Sequence, residues 1–194
     1  MAEPLTAEAI LDAAEDVLRR YGPAKASVVD VARALDVSHG TVYRHFASKA
    51  ALRDAVTQRW LDRVSAPLEQ IVFGTGPATE RLVTWVRTLA AGKQAMAAED
   101  PELFATFQQL TGESREVVAA HIDHLLVQLA RILDDGMARG EFAPGDAQAT
   151  GWAVLQATAR FHHPALAQEW DDPGIGDQLD AVLALLLRGL HPRA

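Results

Sequence analysis

The sequence contains no cysteine, so neither a disulfide framework nor a thiolate metal site is available to it. It also lacks long apolar runs. No stretch approaches the roughly 18 consecutive apolar residues of a membrane-spanning helix, and the N-terminal residues do not show the charged-then-apolar layout of a signal peptide. A cytoplasmic chain with no membrane partner is expected. Period-two alternation, internal repeats and low-complexity runs are missing too, which argues against sheets and repeat architectures. Nor is there an HExxH pair, a Glu-x-x-His pair of the di-iron kind or a nucleophile elbow. The glycine cluster Gly74-Thr75-Gly76-Pro77 has neither a strand pattern before it nor a Lys-Thr/Ser after it. The common hydrolase, metalloenzyme and phosphate-loop chemistries have no residues to stand on, and no cofactor is expected.

Among the 194 residues, 49% are hydrophobic, ample for a buried core. The net charge of −8 would argue against nucleic acid if it were evenly spread, but it is not. Residues 1–53 hold seven Lys/Arg and seven Asp/Glu, whereas residues 54–194 hold eleven and nineteen. The acidity lies in the second part, and the first is free to face phosphates.

Within the neutral part, residues 27–49 read as two short helices joined by a tight turn. Ser27 and Asp30 form an N-cap pair, and Val28, Val31, Ala32 and Leu35 follow at the three-and-four spacing of a buried stripe. Asp36 is the expected turn residue, because a short polar side chain tolerates left-handed backbone. Ser38 caps the second helix, in which Val42 and Phe46, four apart, face inward together. His39, Thr41, Tyr43, Arg44 and His45 remain on the outer face, and no acid occurs from Val37 to Arg53. Such a face suits a DNA major groove. The plainer alternative is a solvated, mildly basic helix pair.

Three runs carry a family resemblance: Val31-Ala32-Arg33-Ala34-Leu35, then Val37-Ser38-His39-Gly40-Thr41-Val42-Tyr43-Arg44-His45-Phe46, then Ser48-Lys49-Ala50-Ala51-Leu52. With Ile10-Leu11-Asp12-Ala13-Ala14 and Tyr21-Gly22 upstream, residues 6–56 closely resemble the N-terminal domain of TetR-family transcriptional regulators. The resemblance implies an all-α fold of about nine helices, with a helix-turn-helix DNA-binding domain at 1–53 and an effector-binding and dimerisation domain at 54–194. It implies a homodimer on a palindromic double-stranded DNA operator, released by a small-molecule effector. Repression is the expected mode, with activation left open. In such a docking His39, Gly40 and Tyr43 approach base edges, Gly40 because the missing side chain lets the backbone come close. Thr41, Arg44, His45 and Lys49 hold phosphates. Ser27 serves first as a cap and second as a phosphate contact, and Tyr43 has the alternative of packing its ring on the first helix of the motif. The basic residue usual near the start of the family is missing, since no Lys or Arg precedes Arg19; no minor-groove arm is expected.

The remaining helices follow from caps and breakers. Thr6 opens the first, whose stripe of Ile10, Ala13, Ala14, Val17, Leu18 and Tyr21 ends at Gly22-Pro23. Ser48 opens the fourth, expected to stop near Pro67. Residues 73–77 look like a linker, Asp100-Pro101-Glu102 starts the sixth helix, Gly140 stops the seventh, and Asp146 caps an eighth that should run through Phe161 to Pro164. The last, with Leu179, Val182, Leu183, Leu186 and Leu190, is apolar nearly all round. It is expected to pair with the eighth helix across a two-fold axis, so that a charge at Leu183 or Leu186 would abolish DNA binding.

Trp85, Phe104, Phe107, Trp152 and Phe161 are candidate walls of an effector pocket, with His121, His124 and His162 as its polar contacts. Plain core is the alternative for each aromatic. If the seventh and eighth helices form a hairpin turning near Ala143, His124 lies level with His162, and His121 and His163 are close by. Four converging imidazoles would suit a borderline metal, against the alternative of capping or partly exposed histidines. A metal-binding helical-bundle enzyme, or an interaction module whose helix-turn-helix no longer binds DNA, are the rival classes. No metal is assigned.

Overall fold

The computed structural model describes residues 5–192. It consists of helices α1 (Ala7–Lys25), α2 (Val28–Ala34), α3 (His39–His45), α4 (Lys49–Val72), α5 (Ala78–Glu99), α6 (Pro101–Glu113), α7 (Arg115–Ala138), α8 (Ala147–Ala157) and α9 (Ile175–Leu190). Two 3-10 turns, Ala159–Phe161 and Pro164–Glu169, lie between α8 and α9. Among the described residues there is no strand, and no helix is long and apolar enough to cross a membrane. The fold is all-α.

Most helices begin where the sequence supplies an oxygen for an orphan N–H. Thr6, Ser27, Ser38, Asp100 and Asp146 each accept from the backbone three residues on, and Ser48 accepts from Ala51 N at 3.0 Å. Pro101 occupies the first turn of α6, where its missing N–H is harmless.

The chain divides into two compact units: the part through Leu61 together with Asp100–Ala119, and Asp62–Glu99 together with the part from Ala120 onward. This division is not the single cut after residue 53 expected above. The first unit takes in α6, because α6 packs on α1, although almost forty residues separate it from the rest of that unit.

In the first unit α1, α2, α3 and the start of α4 share a core of Ile10, Leu18, Val31, Val42, Val56 and Trp60. Trp60 meets Phe107 edge-on with centroids 5.1 Å apart, and Phe104 lies 6.1 Å from Phe107. Arg59 is clamped by three acids one turn apart on α1, Glu8 at 3.2 Å, Asp12 at 2.8 Å and Glu15 at 2.6 Å. Gly22 interrupts α1 with φ 70 and ψ 163, a conformation nearly confined to glycine, and Pro23 restarts one more turn. Tyr21, the last residue before this bend, is exposed and does not join the expected stripe.

In the second unit Leu68, Val72, Leu82, Trp85, Val86, Leu89, Leu125, Leu129, Ile132, Leu133, Val154 and Phe161 form the core. Three expectations need correction. Helix α4 continues past Pro67 to Val72, because Leu68 and Val72 are buried beyond it. Burying each contributes about 1.5–3 kcal/mol, enough together to offset the roughly 3 kcal/mol cost of a helical proline. Helix α8 ends at Ala157 rather than near Pro164, and Phe161 sits on a 3-10 turn instead. The Thr158 amide and hydroxyl both donate to the Val154 carbonyl, at 3.1 and 2.8 Å. On α9 only Leu179 and Leu183 are buried, while Leu185 is 62% exposed.

Candidate nucleic-acid interface and a buried polar cluster

The turn between α2 and α3 is a Schellman motif. Leu35 is the C-cap, Asp36 takes φ 54, and the amides of Val37 and Asp36 donate to the carbonyls of Ala32 at 3.0 Å and Arg33 at 3.2 Å. Two orphan carbonyls are thereby satisfied and the chain is turned sharply into α3. Asp36 fills the left-handed position that glycine usually occupies.

The turn and the burial of Val42 orient α3. His39, Gly40, Tyr43, Arg44 and His45 are exposed on it, as is Lys49 at the start of α4. Phe46 is half-buried. Tyr43 is 43% exposed, so its ring does not pack into the core; it stands edge-on to the His39 ring with centroids 6.3 Å apart. Thr41 is half-buried, and its hydroxyl lies 2.9 Å from Ser38 Oγ and accepts from Arg44 Nη2 at 3.2 Å. It braces Arg44 within the helix. Ser27 is committed to its capping box, its hydroxyl donating to Asp30 Oδ2 at 2.6 Å and accepting from Asp30 N at 3.2 Å. The Ser27 hydroxyl and, at 3.2 Å, the Ser27 amide donate to the Asp30 carboxyl and hold it below the usual range. A phosphate contact by the Ser27 hydroxyl would compete with this cap.

The second unit holds the histidine candidates. Trp85 is fully buried, and its Nε1 donates to Gln128 Oε1 at 2.8 Å. The Gln128 amide nitrogen lies 2.9 Å from His124 Nε2, which is 3.7 Å from Glu69. His121 is buried and its Nε2 has no partner. Desolvation and the nearby charge of Lys93 push it down to about 3. His162 is buried with Nε2 3.2 Å from Thr158 Oγ1, and desolvation followed by Lys93 likewise depresses it to about 3. Both imidazoles are neutral at pH 7.

The four imidazoles do not converge. The early end of α8 breaks the hairpin register on which that expectation rested, His163 is exposed, and its Nδ1 accepts from Ala165 N at 3.2 Å. Among the described residues no group of three or more His, Asp or Glu side chains is arranged to hold a metal ion.

The aromatics separate as well. Trp85 and Phe161 are buried in the core of the second unit. Phe104 and Phe107 belong to the first, where they pack with Trp60. Trp152 is 46% exposed on α8 and walls no interior. Sequence reasoning missed Lys93, which is 7% exposed on α5 and is pushed down to about 8 by burial. The signal was present, because Lys93 extends the buried stripe of Val86, Leu89 and Ala90 at helical spacing.

Comparison with known proteins agrees with this architecture. Residues 10–56 match the family model for bacterial regulatory proteins of the tetR family, and residues 78–183 match a tetracyclin repressor-like C-terminal domain. The HTH-type transcriptional repressor Rv3405c of Mycobacterium tuberculosis is 40% identical over 72 residues, 37% of this chain and 36% of that protein. An uncharacterized HTH-type transcriptional regulator of the same organism, Rv1255c, is 32% identical over 124 residues, 60% of this chain and 59% of that one. The matched region thus spans little more than a third of the first relative and less than two thirds of the second. Among solved structures, the transcriptional regulator FadR from Bacillus subtilis, in complex with stearoyl-CoA, aligns with a TM-score of 0.71 at 20% identity over 96% of this chain and all of that one. At that identity the likeness is one of fold. With both parts of the chain matched, the second over more than half its length, this protein belongs to the TetR family of bacterial regulatory proteins.

Proposed function

We propose that the chain is a transcriptional repressor that binds a palindromic double-stranded DNA operator as a homodimer and is released by a small-molecule effector. The observation that carries this is the exposed, acid-free face of α3 and the start of α4. It presents His39, Gly40, Tyr43, Arg44, His45 and Lys49 behind a helix-turn-helix whose turn and caps are fully bonded. His39, Gly40 and Tyr43 read base edges. Arg44, His45 and Lys49 hold phosphates, with Thr41 bracing Arg44 and Ser27 chiefly capping α2. The family consists of regulators rather than enzymes, so the metal-enzyme reading is not kept.

Dimerisation is assigned to α8 and α9. Trp152 on α8 and Leu185 on α9 are large apolar side chains at the surface, and Ala149, Ala153, Ala181 and Ala184 beside them are exposed and small. A second copy placing the same two helices against them would bury this surface in a four-helix interface. Effector binding is assigned to the second unit, through Trp85, Phe161, His121, His124 and His162. Working on bacterial DNA, such a protein operates in the cytoplasm.

The test is binding of the full chain to DNA flanking its own coding region, read by fluorescence anisotropy with a scrambled duplex as control. Specific retention on an inverted repeat, about 10³-fold or more tighter than on the scrambled duplex, is expected. Equal affinity for both duplexes would reduce the helix-turn-helix to an interaction module.

A further inference from the structure

Helices α5 and α7 run antiparallel, and three contacts fix their register. A Cβ added to Gly136 would sit 2.9 Å from the Ala78 Cβ, Arg81 pairs with Asp135, and Trp85 bonds to Gln128. Followed for two further turns along α5 and back along α7, that register brings Lys93 level with His121. The turn carrying His162 reaches the same level from another side, because Gln94 Nε2 donates to the Phe161 carbonyl at 2.9 Å.

Lys93, His121 and His162 are each more than nine-tenths buried. Among the described residues no carboxylate pairs with the Lys93 ammonium, and His121 Nε2 is buried with no hydrogen-bond partner. A buried ammonium without a counter-charge is costly, and so is a buried ring nitrogen without a hydrogen bond. One carboxylate relieves both. It supplies a single negative charge to match the single positive one, and its two oxygens accept from the ammonium and from the N–H of His121, while the N–H of His162 is already given to Thr158 Oγ1. A dianion such as phosphate would bring a second charge into the apolar core of the second unit, to which Trp85, Leu89, Ala90, Leu125 and Phe161 belong. Those walls favour an apolar body behind the carboxylate.

We infer that Lys93 and His121, with His162 packed beside them, hold the carboxylate of an effector whose remaining body is apolar. The inference rests on the reading of the second unit as the effector-binding part.

The experiment titrates the full-length protein calorimetrically with decanoate and 3-phenylpropionate, with the alcohol of matching skeleton for each, and with inorganic phosphate. At least one acid should bind about tenfold or more tighter than its alcohol, and phosphate should not bind. Lys93→Met, a close match in shape, should erase the preference for acid over alcohol while retaining the wild-type circular dichroism. A readout independent of any variant is proton uptake on binding at pH 8, seen as a dependence of the heat on buffer ionisation enthalpy, because an anion beside Lys93 raises its affinity for protons. Equal affinity for acid and alcohol, no binding of either acid, or a preference that survives in Lys93→Met would overturn the inference. Acid-selective binding that leaves operator retention unchanged would overturn the effector reading and leave this one standing. Release of DNA by an alcohol as readily as by its acid would do the reverse.

Discussion

At Gly40 a single methyl group separates two effects that mutagenesis usually confuses. A Cβ there meets only Ser38 Oγ at 3.7 Å, so Gly40→Ala fits the helix and should raise stability by about 0.5–1 kcal/mol. The same methyl would stand between the α3 backbone and the base edges, lowering operator affinity by about tenfold or more. Thermal melting and anisotropy read the two separately, and unchanged affinity would remove Gly40 from the interface. Lys49→Ala should weaken binding to every duplex and lower the slope of log affinity against log salt by about 0.9, whereas His39→Ala should chiefly relax sequence preference. A wild-type slope in Lys49→Ala would exclude a phosphate contact. The buried bases set the pH profile. His121 and His162 titrate near 3 when folded and near 6.5 when unfolded, so below pH 6.5 the unfolded chain takes up more protons. Stability is full above pH 6.5 on their account and is lost as pH falls toward 3. Lys93 has the same sign higher up: depressed to about 8 from 10.5, it lets stability rise between those values. Urea denaturation across a pH series should show both slopes, with the acid one shallower in His121→Gln and the alkaline one missing in Lys93→Met.

At the scale of elements, helix contacts tolerate some changes and forbid others by amounts the geometry sets. A Cβ on Gly136 would clash with the Phe142 ring and lie 2.9 Å from the Ala78 Cβ, so α7 approaches its neighbours only because that residue is glycine. Gly136→Ala should cost on the order of 1–3 kcal/mol, measured by chemical denaturation, with partial recovery when Phe142→Leu is added. Pro67 offers the opposite case. It is exposed inside α4, where it withholds one backbone hydrogen bond, so Pro67→Ala should stabilise the chain by about 1 kcal/mol or more. A lower melting temperature for Pro67→Ala would mean that the proline shapes α4 in a way the core requires.

For the whole molecule the question is which leucines of α9 belong to the chain itself and which to a partner. Leu183 is 3% exposed, so a charge there would unfold the second unit and test nothing about assembly. Leu185, at 62% exposure, is the informative position. Leu185→Glu should leave the helical signal and melting profile near wild type, shift sedimentation from dimer toward monomer, and abolish operator binding without altering the DNA-facing residues. A stable Leu185→Glu dimer would move the interface elsewhere.

Local chemistry in the sequence determined the starts of the six capped helices, the Ser27–Asp30 capping box, the left-handed Asp36 and the outward face of α3, because caps, turns and periodicity act within a few residues. The charge asymmetry and the motif spacing were legible for the same reason. Tertiary packing decided the rest. Whether α4 passed Pro67 depended on burial of Leu68 and Val72, and α8 stopped early at Thr158, whose amide and hydroxyl both donate to the Val154 carbonyl. Aromatics at equal helical spacing parted company, Phe107 joining Trp60, Trp85 bonding to Gln128 and Trp152 facing outward. Periodicity reports that a side chain points inward but not what it will meet there. Lys93 shows the limit most clearly: its place in a buried stripe could be read from spacing, but its convergence with His121 and His162 exists only through the antiparallel register of α5 and α7 and the turn that follows α8, contacts between residues about 30 to 70 positions apart that no local rule can encode.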